Sequence, residues 1–402
     1  MRVLNRVVLV AAVGNFVDVL DLTLFQNVRV PSLVALGVPN ATLFDTGVLI
    51  LDAQLVGMLL GGLVWGSLAD RRGRKAVLFA SILVYSIATL ASAFVRSVPE
   101  YTLARFICGF GLAGELGAGV ALIAEILPPR TRGYGTTLCA GFGFAGALAG
   151  AGLALSVSWR AAYLIGGIGG LLLLAMRARA FESSTFERSA RRSDLRRGLT
   201  ALFTNRKHVT RYTLALAIAL PIFYVILTIV PFAPELTASL DLSLRLSAPA
   251  ATSIVGAGLL IGDVMTGLAS QRLHSRKRPI RHSIYLVATS ASLLLLGFMS
   301  SKLLLVTALF LCGVGAGYMV LFLTNCAEQF GTNIRGTATV LAPNVMRASV
   351  VPMTLSIHAM QGSLGLPNAA LVVGAMCVVI ALLALRVLPE TFGRDLDFDE
   401  AR

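Results

Sequence analysis

Two carboxylates three residues apart, Asp18 and Asp21, stand in the middle of an apolar run near the N-terminus. That spacing puts both on one face of a helix. Two full charges so close repel, so one of the pair is expected to hold a proton near neutrality. A carboxyl group in that condition can take a proton from one aqueous face and release it to the other. Glu115 and Arg347 lie near the middle of two further apolar runs. Ionisable groups are costly in hydrocarbon unless they pair, neutralise or face water, which makes each a functional candidate. Asp18, Asp21 and Glu115 are read as proton-handling residues. Arg347 is read as the cation that holds an anionic substrate, with an internal ion pair to Glu115 or Asp21 as the alternative. Arg29 and Arg105 fall nearer the external ends of their runs and are expected to steer anions inward. Snorkelling to the interface is a second reading of Arg29. Asn15, Gln54, Asn325 and Arg105 are candidates for the wall of a substrate cavity. Asp263 and His358 are read as satisfied packing residues.

The elements that must carry these groups follow from composition. The chain has 402 residues, 56% hydrophobic and only 13% charged, too few charges for a soluble domain of this size. Apolar runs of about 20 residues recur throughout, each able to span a hydrocarbon core about 30 Å thick. They lie near 7–27, 45–67, 76–95, 102–126, 135–156, 160–178, 212–233, 248–270, 282–299, 303–326, 337–358 and 366–387. An all-α membrane protein with twelve transmembrane helices is the expected fold class. Asp18 and Asp21 interrupt the first run, so it is read as part of the body and not as a removed signal peptide. The net charge of +14 gathers in Arg2, Arg6, Arg71 to Lys75, Arg130, Arg132, the stretch Arg177 to Arg211, Arg272 to Arg281, Arg335, Arg386 and Arg394. Those positions share one side of the predicted membrane. This asymmetry points to anionic lipid as the partner and not to nucleic acid, and it predicts an inner-membrane protein with both termini cytoplasmic. All five cysteines fall inside predicted spans without C-x-x-C spacing, so no disulfide or zinc site is expected.

A basic turn, Gly66-Ser67-Leu68-Ala69-Asp70-Arg71-Arg72-Gly73-Arg74-Lys75, recurs in weakened form at Gly267-Leu268-Ala269-Ser270-Gln271-Arg272. Cys108-Gly109-Phe110-Gly111 is echoed by Cys312-Gly313-Val314-Gly315, and Glu125 with Arg132-Gly133 by Glu328 with Arg335-Gly336. Such pairing predicts two homologous six-helix halves, 1–178 and 211–402, joined by a cytoplasmic linker over 179–210.

On these residues the chain resembles the major facilitator superfamily, whose second loop carries G-x-L-a-D-r-x-G-R-[RK]. The Asp18/Asp21 pair, with Arg105-x-x-x-Gly109-x-Gly111 and Gly114-Glu115-Leu116-Gly117-Ala118, is similar to the metabolite:proton symporters and sugar porters. The resemblance implies coupling and substrate-binding roles for Asp18, Asp21 and Glu115. It also implies a cytoplasmic gate: Asp70, Arg71 and Arg74 beside Glu125, Arg132 and Glu182, and Arg272 and Arg276 beside Glu328, Arg335 and Glu390. Leu388-Pro389-Glu390-Thr391-Phe392-Gly393 matches the family's P-E-T-x-G ending. The fifth run lacks the Gly-Pro pair seen in drug antiporters of that family, which favours uptake. Without a Walker loop, an H-E-x-x-H or a G-x-S-x-G, neither ATP nor intramembrane hydrolysis is expected, and no cofactor or metal is implied. The sequence therefore reads as a monomeric transporter for proton-coupled uptake of a small carboxylate-bearing or zwitterionic metabolite by alternating access. A proton-driven efflux antiporter for amphipathic compounds and a non-transporting sensor are the alternatives.

Overall fold

The computed structural model describes residues 6–72, 74–114, 129–181, 202–240, 246–297 and 301–393, and every regular element among them is helical. Two compact units divide the chain, Met1–Arg196 and Arg197–Arg402. Of the predicted linker, 182–201 lie outside the described residues, whereas 206–210 already belong to a helix. The first unit comprises α1 (Arg6–Ala35), α2 (Leu43–Arg72), α3 (Arg74–Ser92), α4 (Val98–Leu112), α5 (Pro129–Ser156) and α6 (Trp159–Phe181). In it α1 packs on α5 and α6, and α4 packs on α2 and α3. The second unit holds α7 (Arg206–Ala217), α8 (Leu220–Tyr224), α9 (Ala233–Ser239), α10 (Ala248–Arg272) and α11 (Lys277–Leu295). There follow α12 (Lys302–Ala316), α13 (Met319–Glu328), α14 (Thr332–Ala348), α15 (Val350–Leu364) and α16 (Leu366–Val387). Here α12 packs on α10 and α11, as α4 does on its neighbours.

Among the described residues, seven stretches are long and apolar enough to cross a bilayer, and an eighth is α7 with α8, bent by 44°. The predicted fourth run is described only as far as Gly114, and the apolar part of α3 is confined to Ala76–Ser92. Large apolar side chains point outward along α2 (Leu59, Leu60, Leu63) and at the matching positions of α10 (Leu260, Ile261, Val264). In water such a band would be a liability; against lipid it is the solvent-facing surface.

The internal repeat extends to backbone contacts. A Cβ on Gly57 would come within 2.2 Å of Phe106 O, and one on Gly258 within 2.3 Å of Phe310 O. Gly109 and Gly313 return the contact, against Gln54 O and Val255 O at 2.0 and 2.3 Å. Lipid gives apolar side chains no reason to associate, so helices join where small residues let backbones touch. The helices that pack this way also start alike: Ser97 accepts from Glu100 N, and Ser301 from Leu304 N. Each is an N-cap that satisfies an otherwise orphaned donor.

Side chains from other helices hold two of the breaks in the spans of the second unit. Pro221 has no N–H to continue the α7 ladder, and the Ile218 carbonyl accepts from Tyr318 Oη at 2.9 Å. Tyr318 itself lies between α12 and α13. There Asp263 of α10 accepts from Val320 N at 3.2 Å, and Thr266 donates to Gly317 O at 2.9 Å. Asp263 thus caps a helix from the neighbouring span.

The glycine contacts make a direct prediction. Gly258→Val should lower the melting temperature of the detergent-purified protein, by the equivalent of about 1–3 kcal/mol for an overpacked contact. Gly267→Val should leave it unchanged, because a Cβ there meets nothing within 4 Å.

Candidate functional site

The first unit buries a charged cluster around Asp21. Asp21 is fully buried (0% exposed), as is the Arg105 guanidinium of α4. Thr89 of α3 stands between them: its Oγ1 donates to Asp21 Oδ1 at 2.6 Å and accepts from Arg105 Nη2 at 3.3 Å. Cys108 donates to Asp21 Oδ2 at 2.8 Å. Arg105 also lies over the Tyr163 ring, 4.9 Å from its centroid. A charge taken out of water needs an opposite charge and satisfied hydrogen bonds, and here a threonine hydroxyl relays one charge to the other. The guanidinium remains incompletely satisfied: its Nε and Nη1 are buried without a partner among the described residues. Both side-chain atoms of the Gln54 amide on α2 are in the same condition.

A chain of hydroxyls fixes the ring beneath Arg105. Ser32 donates to Arg29 O at 2.8 Å, so its single proton is committed. It must then accept from Tyr101 Oη at 3.2 Å, and Tyr101 in turn accepts from Tyr163 Oη at 2.5 Å. The chain ends on a carbonyl. It positions the two rings and has no outlet for a proton.

The second unit builds its charged cluster at helix ends. Arg276 grips Glu328 with two bonds, Nη2 to Oε1 at 2.8 Å and Nε to Oε2 at 3.1 Å, and reaches Ser270 Oγ with Nη1 at 3.0 Å. Thr391 donates to Glu328 Oε2 at 2.7 Å, and Asn325 Nδ2 donates to Thr391 at 3.3 Å. Glu390 caps the start of α11 from across the loop. It accepts from Arg276 N at 2.8 Å, Lys277 N at 3.3 Å and the Ser275 hydroxyl, and also from Thr391 N and Phe392 N. Burial alone would raise the Glu390 carboxyl, but the Ser275 hydroxyl and these backbone donors outweigh it and hold the group below its usual value.

Several predicted residues occupy other settings than their spacing suggested. Arg29 does not snorkel: it is 0% exposed, its Nη1 donates to Leu43 O at 3.3 Å, and it fills the space beside Gly47. Arg105 is buried and so presents no charge to solvent. Arg347 occupies the last turn of α14, where the span is interrupted at Ser349, and its Nη1 donates to Asn344 at 3.4 Å. A cation suits that end of a helix dipole. Asn325, a candidate for the cavity wall, donates to Thr391 in the Glu328 cluster. Arg272 is exposed at the end of α10, and Arg335 donates to Phe330 O at 3.1 Å. Asp18 is buried on α1, Asn15 lies against Gly143 of α5, and His358 is exposed beside Gln361. Glu115, Glu125 and Glu182 lie outside the described residues, as do the side chains of Asp70, Arg71, Arg74 and Arg132. Sequence reasoning passed over Thr89, Tyr101 and Tyr163 and read Cys108 only as outside any disulfide or zinc site. The available signal was Ser86, Thr89 and Ser92, three fully buried hydroxyls at three-residue spacing on one face of α3.

Comparison with known proteins places this geometry in context. A family model described as the Major Facilitator Superfamily matches residues 14–351. A probable 4-methylmuconolactone transporter of Cupriavidus pinatubonensis is 28% identical, over 84% of this chain and 80% of its own length. A gentisate transporter of Corynebacterium glutamicum is 29% identical, over 92% and 84% respectively. The crystal structure of a D-xylose-proton symporter superposes with a TM-score of 0.72 at 18% identity, covering 97% of this chain and 99% of that one.

The Glu390 geometry sets a pH dependence. A carboxylate held below its unfolded value stabilises the fold above the unfolded pKa of about 4.3, and that stabilisation is lost as pH falls through the lower folded value. Glu390→Gln should therefore melt below wild type at pH 6 to 7, and the gap should close on acidification below about pH 4.

Proposed function

Since this chain belongs to the Major Facilitator Superfamily, we propose that it imports a small ring-bearing carboxylate together with protons, by alternating access. It is a multi-pass membrane transporter and not an enzyme. Beyond that, the reading rests on one observation: a fully buried guanidinium, Arg105, with Nε and Nη1 lacking partners among the described residues. Buried polar groups left unpaired are costly and call for an explanation. A substrate carboxylate would satisfy one of these N–H groups in a charge-assisted hydrogen bond. The Gln54 amide, equally unpaired, would take a second polar group on the substrate. The two relatives carry names of ring compounds bearing a carboxylate, which fits the same chemistry.

Proton coupling then follows from charge. A second anion beside Arg105 competes with Asp21 for one cation, and the repulsion is relieved when Asp21 takes a proton. Loading of substrate and proton become linked, and release of one on the far side favours release of the other. Asp18 and Glu115 would pass the proton toward or away from Asp21. Arg347, in the second unit, is the other cation able to hold the anion. Clamps such as Arg276–Glu328 would hold helix ends together in one conformation, and a network of them can bias a balance of only a few kcal/mol. The basic loops support a reading in which both termini face the cytoplasm across the inner membrane.

Proteoliposomes with an inward proton gradient test this. Aromatic monocarboxylates should accumulate and carry protons with them. Asp21→Asn should abolish accumulation while sparing counterflow exchange; loss of both would give Asp21 a binding or structural role. Arg105→Lys should raise KM by about tenfold or more, as expected for loss of a charge-assisted hydrogen bond. A larger effect from Arg347→Lys would reassign the anion. Accumulation driven only in everted vesicles would reverse the direction to efflux.

A further inference from the structure

The two oxygens of Asp21 are held by donors of unequal strength. Oδ1 receives the Thr89 hydroxyl at 2.6 Å, and Oδ2 receives the Cys108 thiol at 2.8 Å. Thr89 has its strong acceptor in one direction, since Oγ1 lies 2.6 Å from Oδ1 but 3.5 Å from the weakly accepting Sγ. Cys108 has a choice. Sulfur is both a weak donor and a weak acceptor, and Thr89 Oγ1 lies 3.5 Å from Sγ with a lone pair to spare. When Oδ2 takes a proton, the thiol hydrogen can swing to Thr89 while sulfur accepts the new Oδ2–H. Protonation at Oδ1 would oblige Thr89 to give up its 2.6 Å bond for one to sulfur at 3.5 Å. The geometry points to Oδ2 as the oxygen that binds the transported proton, and to Cys108 as the positioning residue that sets the pH at which it does so.

This rests on the reading that Asp21 carries the coupled proton. Arg105 and Cys108 of α4 and Tyr163 of α6 act on it electrostatically, and Thr89 of α3 donates to it. Further titratable groups on the surrounding helices are Tyr101 of α4, Asp18 on α1 itself, Tyr85 of α3, and Asp45 and Asp52 of α2. The α5 glycines Gly143, Gly146 and Gly150 lie against this stretch of α1. Among the described residues, Cys108 is the hydrogen-bond donor to Oδ2.

The test is the initial rate of proton-driven uptake against external pH, at a fixed pH difference, in proteoliposomes of the full chain. Cys108→Ala removes the charge-assisted S–H bond to the carboxylate and the weaker bond that sulfur would accept from the acid; the first loss is the larger, so uptake should persist to higher pH, by about one unit. Cys108→Ser supplies a stronger donor, so uptake should be lost at lower pH than in wild type. Opposite displacements are the signature. A thiol that merely fills space would move both variants the same way or neither, and either result overturns the inference. Should Cys108→Ala fail to reconstitute, the direction of the Cys108→Ser shift decides alone. Wild-type coupling that survives Asp21→Asn would instead sink the coupling reading, independently of Cys108.

Discussion

Lipid cannot solvate a charge, so every ionised group inside a span must find its counterpart within the protein. In the first unit that constraint selects the arrangement of four helices at once. Asp21 of α1 and Arg105 of α4 neutralise each other through Thr89 of α3, and Tyr163 of α6 lies beneath the guanidinium. The hydroxyl chain from Ser32 through Tyr101 fixes that ring in turn. A cluster satisfied this way rigidifies its surroundings. Two donors of Arg105 have no partner among the described residues, and the proposed transport chemistry is assigned to these same atoms.

The second unit answers the same constraint differently. It has no buried guanidinium at the position of Arg105, where its repeat carries Leu309, and the span equivalent to α1 is broken at Pro221. Its polar side chains go to backbone: Tyr318 to Ile218, Tyr224 to Ala370, Thr266 to Gly317 and Asp263 to Val320. Breaks in a membrane helix free backbone groups that lipid cannot satisfy, and neighbouring side chains must take them up. The repeats therefore share glycine packing and helix caps while diverging in polar chemistry. One unit concentrates charge, and the other concentrates interruptions.

Much of this was legible in the sequence. The length of the apolar runs, the asymmetry of arginine and the paired turns at Gly66 and Gly267 identified an all-helical, duplicated membrane protein. The P-E-T ending marked Glu390, and the family resemblance set Arg272 and Arg276 beside Glu328. Asp21 and Arg105 were visible as ionisable residues in apolar surroundings. What Arg29 does was not visible, because snorkelling and burial beneath Gly47 look identical in one dimension.

Hydropathy and charge act along the chain, so the sequence by itself determined that these helices exist, that they cross a membrane and that they come in two similar sets. Which side chains meet depends on the rotation of each helix about its axis, where one residue turns the face by about 100°. Close glycine contacts such as Gly57 on Phe106 O set that rotation. Only the tertiary structure could bring Cys108 and Thr89 to opposite oxygens of Asp21, because a neutral thiol and a hydroxyl carry no signal of their own until packing aims them at a charge.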